Sequence, residues 1–469
     1  MEAAFFPHFG NEFSKNLVSS LASRMDAPPF IRVGGTSGDW FTYDASQQEP
    51  YKCVSDTGCG THNAHYRLGP SYFEAFANFA DADMFVQAPL PNPPDLGSTL
   101  AYVSNAWKKS GNGERVASIA LGNEVEYIWD GPQSYADAAL VVQDAIIKNL
   151  SLSGDAANIF EIANSASGTV TGKGYHLPAV LKTGIADNGR SKIGAEHWYQ
   201  IKNSDSWSDE EMQSRMINHK AIVDRFQKYT PGLEAAESHG LDYDILEGAA
   251  VLGKGGPPPT FSSGFGYALW AVDFNLVCMS RGVKRVANLA GRPSASRVFW
   301  VPDDSSPSNP GPNARAPYPA AIMIADFIGK GHGSSVKEID LGRDLLSAYA
   351  MYNEGSGDLE RVALLNMRLY NGTQDKPRDR ERFEIPVRDG IQQVTVRRLR
   401  ADLGVAAMGF DYGGPENNVT WGGEQWSHGI DLGNGHFPTG DVVENTIEVK
   451  DGIAAVVIPD SEAVIMYIR

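Results

Sequence analysis

The sequence predicts a (β/α)8 barrel of the TIM type followed by an antiparallel β-sandwich, and three observations carry that expectation. Short β-rich runs alternate with amphipathic helical stretches from the start of the chain to about residue 330. Strands that alternate with helices imply a parallel sheet, and eight of them close a barrel. Beyond residue 330 the helical period vanishes, and apolar/polar alternation broken by Gly, Asn, Asp and Pro clusters takes over, as in a sandwich. The expected division is a barrel over residues 1–332 and a sandwich over 333–469.

In order, the barrel strands are read from MEAAFF, taken as the remnant of a first strand, then FIRVGG (30–35), MFVQAPL (84–90) and VASIALGNE (116–124). FEIANS (160–165), KIGAEHWY (192–199), DYDILEG (242–248) and VKRVANL (283–289) complete the set. SYFEAFANFAD, SYADAALVVQDAIIKNL and DEEMQSRMINHKAIVDRFQKY have the helical spacing of apolar residues between them. APYPAAIMIADFIGK, with prolines in its first turn, reads as the last barrel helix. The Gly- and Pro-rich stretch 302–317 then falls before that helix, as a long loop on the functional face rather than a linker. RVALLNMRLY, RFEIPV, QQVTVRRLR, NTIEVK, AAVVIP and EAVIMYI supply the sandwich strands.

A chain of 469 residues with 42% hydrophobic content can bury a large core. The net charge of −17 disfavours nucleic acid and anionic membranes as partners. No run of clustered Lys and Arg offers a groove for a long polyanion. Nine Trp and eighteen Tyr suit stacking against sugar rings and equally suit an ordinary core. Cys53 and Cys59 lie in a turn-rich loop where they could close a small ring, and Cys278 sits in an apolar run as a buried thiol. The chain opens on MEAAFFPHFG inside a structural element, with no signal peptide and no span long enough for a bilayer. Together with sequons at Asn149, Asn371 and Asn418, this reads as a mature or trimmed form of a secreted glycoprotein.

A parallel barrel builds its site at the C-terminal ends of its strands. Glu124 ends the fourth strand, directly after Asn123, and Glu247 ends the seventh. Two carboxyl groups converging across a barrel are what retaining glycoside hydrolysis requires, one as acid/base and one as nucleophile. Glu237, in EAAESHG, precedes its strand and is set aside as a solvated carboxylate. Glu126 could line the cleft or be structural. Strand alternation does not decide between His197 and Trp198 as cleft residues. His239 reads as a surface histidine. No spacing of His, Asp and Glu makes a metal site, and GKGG lacks the context of a phosphate loop.

The chain resembles glycoside hydrolase family 79, the β-glucuronidase and heparanase family, and its fungal β-glucuronidase-like members in particular. The resemblance runs through IRVGGTSGD (31–39), LGNE (121–124), ILEGAAVLGKGGPP (245–258), FGYALWAVDFNL (265–276), LLNMRLYNGTQDKP (364–377), VTWGGEQW (419–426) and DSEAVIMYI (460–468). It implies an exo-acting β-glucuronidase (or 4-O-methyl-glucuronidase) without a cofactor, acting on a carbohydrate or aryl glucuronide. Glu124 would be the acid/base and Glu247 the nucleophile. Asn123 would bind the sugar 2-OH, Tyr199 would donate to the nucleophile, and Glu2 and Thr36 would contact hydroxyls. The uronate carboxylate would rest on Gly253, Lys254 and Gly255. Leu252 departs from the family's tyrosine before that stretch, which keeps a same-clan enzyme for a neutral sugar as the alternative, beside a non-catalytic glycan-binding relative.

Overall fold

The computed structural model describes all residues except 57–58, 60–63, 167–174, 203–207, 253–262, 291–296, 305–310, 332–333 and 469. Seven strands form a parallel sheet in sequence order: β1 (Phe30–Val33), β2 (Asp83–Ala88), β3 (Val116–Leu121), β4 (Phe160–Ser165), β5 (Ser191–Lys202), β6 (Asp242–Leu252) and β7 (Arg285–Asn288). The eighth stave is the segment Met1–Ala3. Its Glu2 bridges Gly34 in parallel beyond β1. The N–H of Ala3 donates to Gly34 O at 2.7 Å, that of Gly34 to Met1 O at 3.1 Å, and that of Glu2 to Ala290 O at 3.3 Å beyond β7. Counting Met1–Ala3 as the first stave makes β3 the fourth, β6 the seventh and β7 the eighth.

Only that short part of MEAAFF behaves as a strand. Ala3–Phe9 winds into a 3-10 helix that buries Ala3, Ala4, Phe6 and Phe9, a triplet-spaced pattern that a strand would have split between two faces. The 209–229 stretch also departs from expectation. It divides into α4 (Asp209–Arg215) and α5 (His219–Phe226), because the Asn218 side chain accepts the Ala221 N–H and starts a new helix there. The helix read at 316–330 is Pro317–Ile328, with prolines in its first turn.

β5 and β6 stay paired out to Lys202 and Leu252, and the seventh stave carries Glu247 directly after a register shift that skips Leu246. After β6 comes α7 (Phe265–Ser280), whose residues from Phe265 to Cys278 are all buried. A helix apolar on every side needs cover on every side. The sandwich provides the cover the barrel does not.

That second unit is an antiparallel sheet with β8 (Ser334–Glu338), β9 (Leu346–Asn353), β10 (Leu359–Asn366), β11 (Arg380–Pro386), β12 (Gln393–Ala401), β13 (Val419–Trp421), β14 (Asn445–Lys450), β15 (Ile453–Pro459) and β16 (Glu462–Tyr467). Its order is β8-β9-β10-β16-β12-β14-β15-β11, with β13 on the flank of β12. Alternation separates two cores. Val362, Leu364, Val464 and Met466 point into the sandwich's own core, while Ala363, Leu365, Ile465 and Tyr467 join the core shared with the barrel. Burial on both faces is why AVIMY reads as a continuous apolar run.

Polar groups also cross the junction. His219 on α5 lies with Nδ1 3.1 Å from Asp273 of α7 and Nε2 3.3 Å from Glu338 of β8. Tyr349 of β9 donates to Asp273 at 2.6 Å, and Arg281 pairs with Glu338 at 2.8 Å. Burial alone would lower the His219 pKa, but Asp273 and then Glu338 outweigh it and hold the ring up to about 10.

Cys53 and Cys59 form a disulfide, and Cys278 is a buried free thiol. Among the described residues, no helix is long and apolar enough to cross a membrane.

Candidate active site

The site is built where β3 ends. Gly122 has φ +79°, and a Cβ there would sit 3.0 Å from Val125 and 3.2 Å from Leu90, so only glycine turns the chain at this point. Glu124 follows with φ 44° and ψ 52°, a left-handed conformation rare for a residue with a side chain. Its N–H donates to Asn164 O at 2.7 Å, at the end of the neighbouring β4, where Ala163 and Asn164 are also left-handed. Strain concentrated at two adjacent strand ends fixes where the Glu124 carboxyl points.

Asn123 is held from both ends. Its N–H donates to Asp39 Oδ2 at 3.1 Å, and its side-chain oxygen accepts from Arg32 at 2.7 Å. With the oxygen committed, Nδ2 is a buried donor without a protein partner. Arg32 lies on β1, and its other terminal nitrogen donates to Glu247 Oε2 at 3.2 Å. Tyr199 donates its hydroxyl to the remaining Glu247 oxygen. His197 and Tyr199 share one face of β5, so both enter the cleft, while Trp198 points away and stacks on Tyr229 at 4.5 Å. His197 Nδ1 is 3.3 Å from Glu124 Oε1. One oxygen from each of Glu124 and Glu247, with a ring nitrogen of His197, lie within 4.8 Å of one another.

The environment separates the carboxyl groups. Burial works to raise the pKa of Glu247, yet the nearby charges of His197 and Arg32 and the Tyr199 hydrogen bond bring it below the usual value. Glu247 is therefore ionised. The Tyr199 hydroxyl is pushed well above its ordinary range by burial first, then by Glu247 and Glu124, with Arg297 acting the other way. Asp39 and Glu126 are each raised to about 7, chiefly by burial. A cation at Glu124, His197 and Glu247 would have to displace both Arg32 and Tyr199 from Glu247, so this donor set does not suit a metal.

Beside Glu124 opens a cavity of about 340 Å³, lined also by Thr36, Asp39, Trp40, Asn123, Tyr127 and Ile128. Glu2 sits at the adjoining turn, accepting from the Ser37 N–H at 3.0 Å and from its hydroxyl. Gly35, with φ +100°, permits this, since a Cβ there would come within 2.7 Å of Glu2. The structure thus places Thr36, Asn123 and Glu124 on this cavity, while Glu2 and Glu247 line a second, small pocket with Arg32, and Tyr199 reaches Glu247 through its hydrogen bond. Gly253, Lys254 and Gly255 lie outside the described residues. Glu237 and His239 are exposed on and after α6 (Thr230–Ser238), away from the pair.

A family model, the glycosyl hydrolase family 79 C-terminal beta domain, matches residues 348–465. A β-glucuronidase of Aspergillus niger is 26% identical over 513 residues, covering 99% of this chain and 89% of the relative. Residues 348–465 thus carry the C-terminal beta domain of glycosyl hydrolase family 79. A β-glucuronidase of Neurospora crassa is likewise 26% identical, over 93% of this chain and 84% of that one. Among solved structures, a 4-O-α-L-rhamnosyl-β-D-glucuronidase of Fusarium oxysporum superposes with a TM-score of 0.78 at 19% identity, over 100% of this chain and 94% of that chain. A family 51 arabinofuranosidase of Xanthomonas axonopodis pv. citri gives 0.61 at 12% identity, over 98% and 90%. These two share the barrel-plus-sandwich fold. The chain is a glycosidase.

Sequence reasoning missed Arg32 and Asp39. Arg32 carried a usable signal. It is a charge between Ile31 and Val33 in a strand that is otherwise apolar, and an inward charge in a barrel must have partners. Asp39 carried none, because its partners are backbone N–H groups brought together by the fold.

Proposed function

We propose that this enzyme is an exo-acting β-glucuronidase working with retention of configuration. The observation that carries the mechanism is the approach of Glu124 and Glu247 to within 4.8 Å between carboxyl oxygens. Retaining pairs stand about 5–5.5 Å apart, whereas inverting pairs leave about 6.5–9.5 Å for a water. Glu247, ionised beside Arg32, attacks the anomeric carbon, and Glu124 protonates the departing glycosidic oxygen. The resulting glycosyl ester is then cleaved by water, whose proton returns to Glu124. Asn123 Nδ2 is the free donor for the 2-OH, a contact that strengthens as the oxocarbenium ion develops. Tyr199 orients the nucleophile, and Thr36 and Glu2 suit further hydroxyls.

The glucuronide substrate class draws on the activity of the Aspergillus niger and Neurospora crassa relatives. The same reading assigns catalysis to the barrel over residues 1–332 and a buttressing role to the sandwich over 333–469. An extracellular setting is supported by the Cys53–Cys59 disulfide. The experiment is hydrolysis of an aryl β-glucuronide by Glu247→Gln, with the anomer first released by the wild type followed by NMR. Loss of turnover in the variant and a β-anomer product are expected. Unchanged turnover or an α-anomer would overturn the mechanism.

A further inference from the structure

The barrel fixes which wall each part of a pyranose can face. In an eight-membered ring of staves the fourth and the eighth stand opposite one another. Asn123, with its unpartnered Nδ2, follows the fourth stave, β3. In a six-membered sugar ring, C2 and C5 are likewise opposite. A sugar whose 2-OH meets Asn123 therefore turns its C5 substituent toward the eighth stave, β7, and the chain that follows it.

Arg297 lies on that chain, between β7 and Trp300. It is half-buried and has φ +60°, an unfavourable conformation for an arginine that the fold maintains. Its Nε is buried without a hydrogen-bond partner, and among the described residues no carboxylate pairs with its guanidinium. The arginines on neighbouring elements, Arg281 and Arg285, each have an acidic partner. The charge of Arg297 nonetheless reaches the hydroxyl of Tyr199, the residue that donates to Glu247, and that of Tyr267 on α7. An uncompensated guanidinium within electrostatic reach of Tyr199 is costly in a protein alone and well placed for an anionic ligand.

We propose that Arg297 is the specificity-determining residue for a carboxylate at C5, receiving the uronate of the substrate as a charge-assisted and, where geometry allows, bidentate partner. This rests on the reading of Glu124 and Glu247 as the catalytic pair and goes beyond it by naming the side chain that separates a uronate from a neutral hexose. A guanidinium's fork of donors matches a carboxylate, whereas the hydroxymethyl group of a glucoside offers no charge to meet it.

The test compares wild type, Arg297→Gln and Arg297→Lys on 4-nitrophenyl β-D-glucuronide and 4-nitrophenyl β-D-glucoside, with thermal melts to report folding. In Arg297→Gln, kcat/KM for the glucuronide should fall roughly 10- to 100-fold, the loss expected for one hydrogen-bonded charge partner. The weak glucoside rate should be unchanged or raised, and Arg297→Lys should recover part of the glucuronide rate. Equal losses on both substrates, or none on the glucuronide, overturn the role of Arg297 while leaving the β-glucuronidase reading intact. A wild type that cleaves the glucoside in preference overturns both.

Discussion

Removing the Tyr199 hydroxyl tests how Glu247, the proposed nucleophile, is kept ionised. In Tyr199→Phe, Glu247 keeps Arg32 at 3.2 Å and loses the donor on its other oxygen. A hydrogen bond to a charged group contributes about 1.5–3 kcal/mol, and 1.36 kcal/mol corresponds to one unit of pKa. Tyr199 is buried, so water does not replace the donor freely. In the proposed mechanism Glu247 must be ionised to attack, and loss of a donor to its charged form raises its pKa. The acidic limb of kcat/KM against pH should therefore move up by about one to two pH units. The plateau rate responds less, since a carboxylate freed from a donor is more basic but held less firmly. The assay is the full pH profile on an aryl glucuronide for wild type and variant. An acidic limb that stays where it was would refute the hydrogen bond's role in ionisation, whatever happens to the plateau.

Two further outcomes concern stability. Asp39, raised from 3.8 to about 7, binds its proton more tightly in the folded state than in the unfolded chain. Stability should thus fall as pH rises from about 4 through 7, by at most about 4 kcal/mol from this group; a melting temperature no lower at pH 7.5 than at 4.5 would contradict it. His219 has the opposite sign. Its folded pKa of about 10 lies above the ordinary 6.5, so its contribution is complete below pH 6.5 and lost as pH rises through 10. His219→Ala should cost about 3 kcal/mol in denaturant unfolding at pH 6, with the gap to wild type closing near pH 10.

How much of this was legible in the sequence depended on whether the signal was local. Phe160–Ser165 and Asn445–Lys450 match the expected strands to the residue, since each is bounded by turn formers and buried or alternating throughout. Leu346–Asn353 was not singled out, because its alanines and serine give little contrast between faces that are both buried. Glu124 could be found because strand ends are visible in a sequence, whereas Glu247, read as a strand end, lies inside β6. What holds them could not be read as easily. Arg32 joins Asn123 and Glu247 across more than ninety positions, and the choice of His197 over Trp198 as the cleft residue is made by Tyr229 and Phe274 packing on the indole.

The place of β16 in the second sheet has a consequence for biosynthesis. This strand forms the middle of the sheet, pairing with β10 on one side and β12 on the other. Arg361 waits for Tyr467, more than a hundred positions later. As the chain leaves the ribosome, β8 to β10 and β12 to β15 can gather only as separate half-sheets, each with an open edge that could join another chain. The buried face of α7 waits with them, because part of its cover comes from that sheet. Synthesis of residues 462–467 is therefore the event that commits the whole molecule, and its yield during expression should depend on how well those edges are shielded until then.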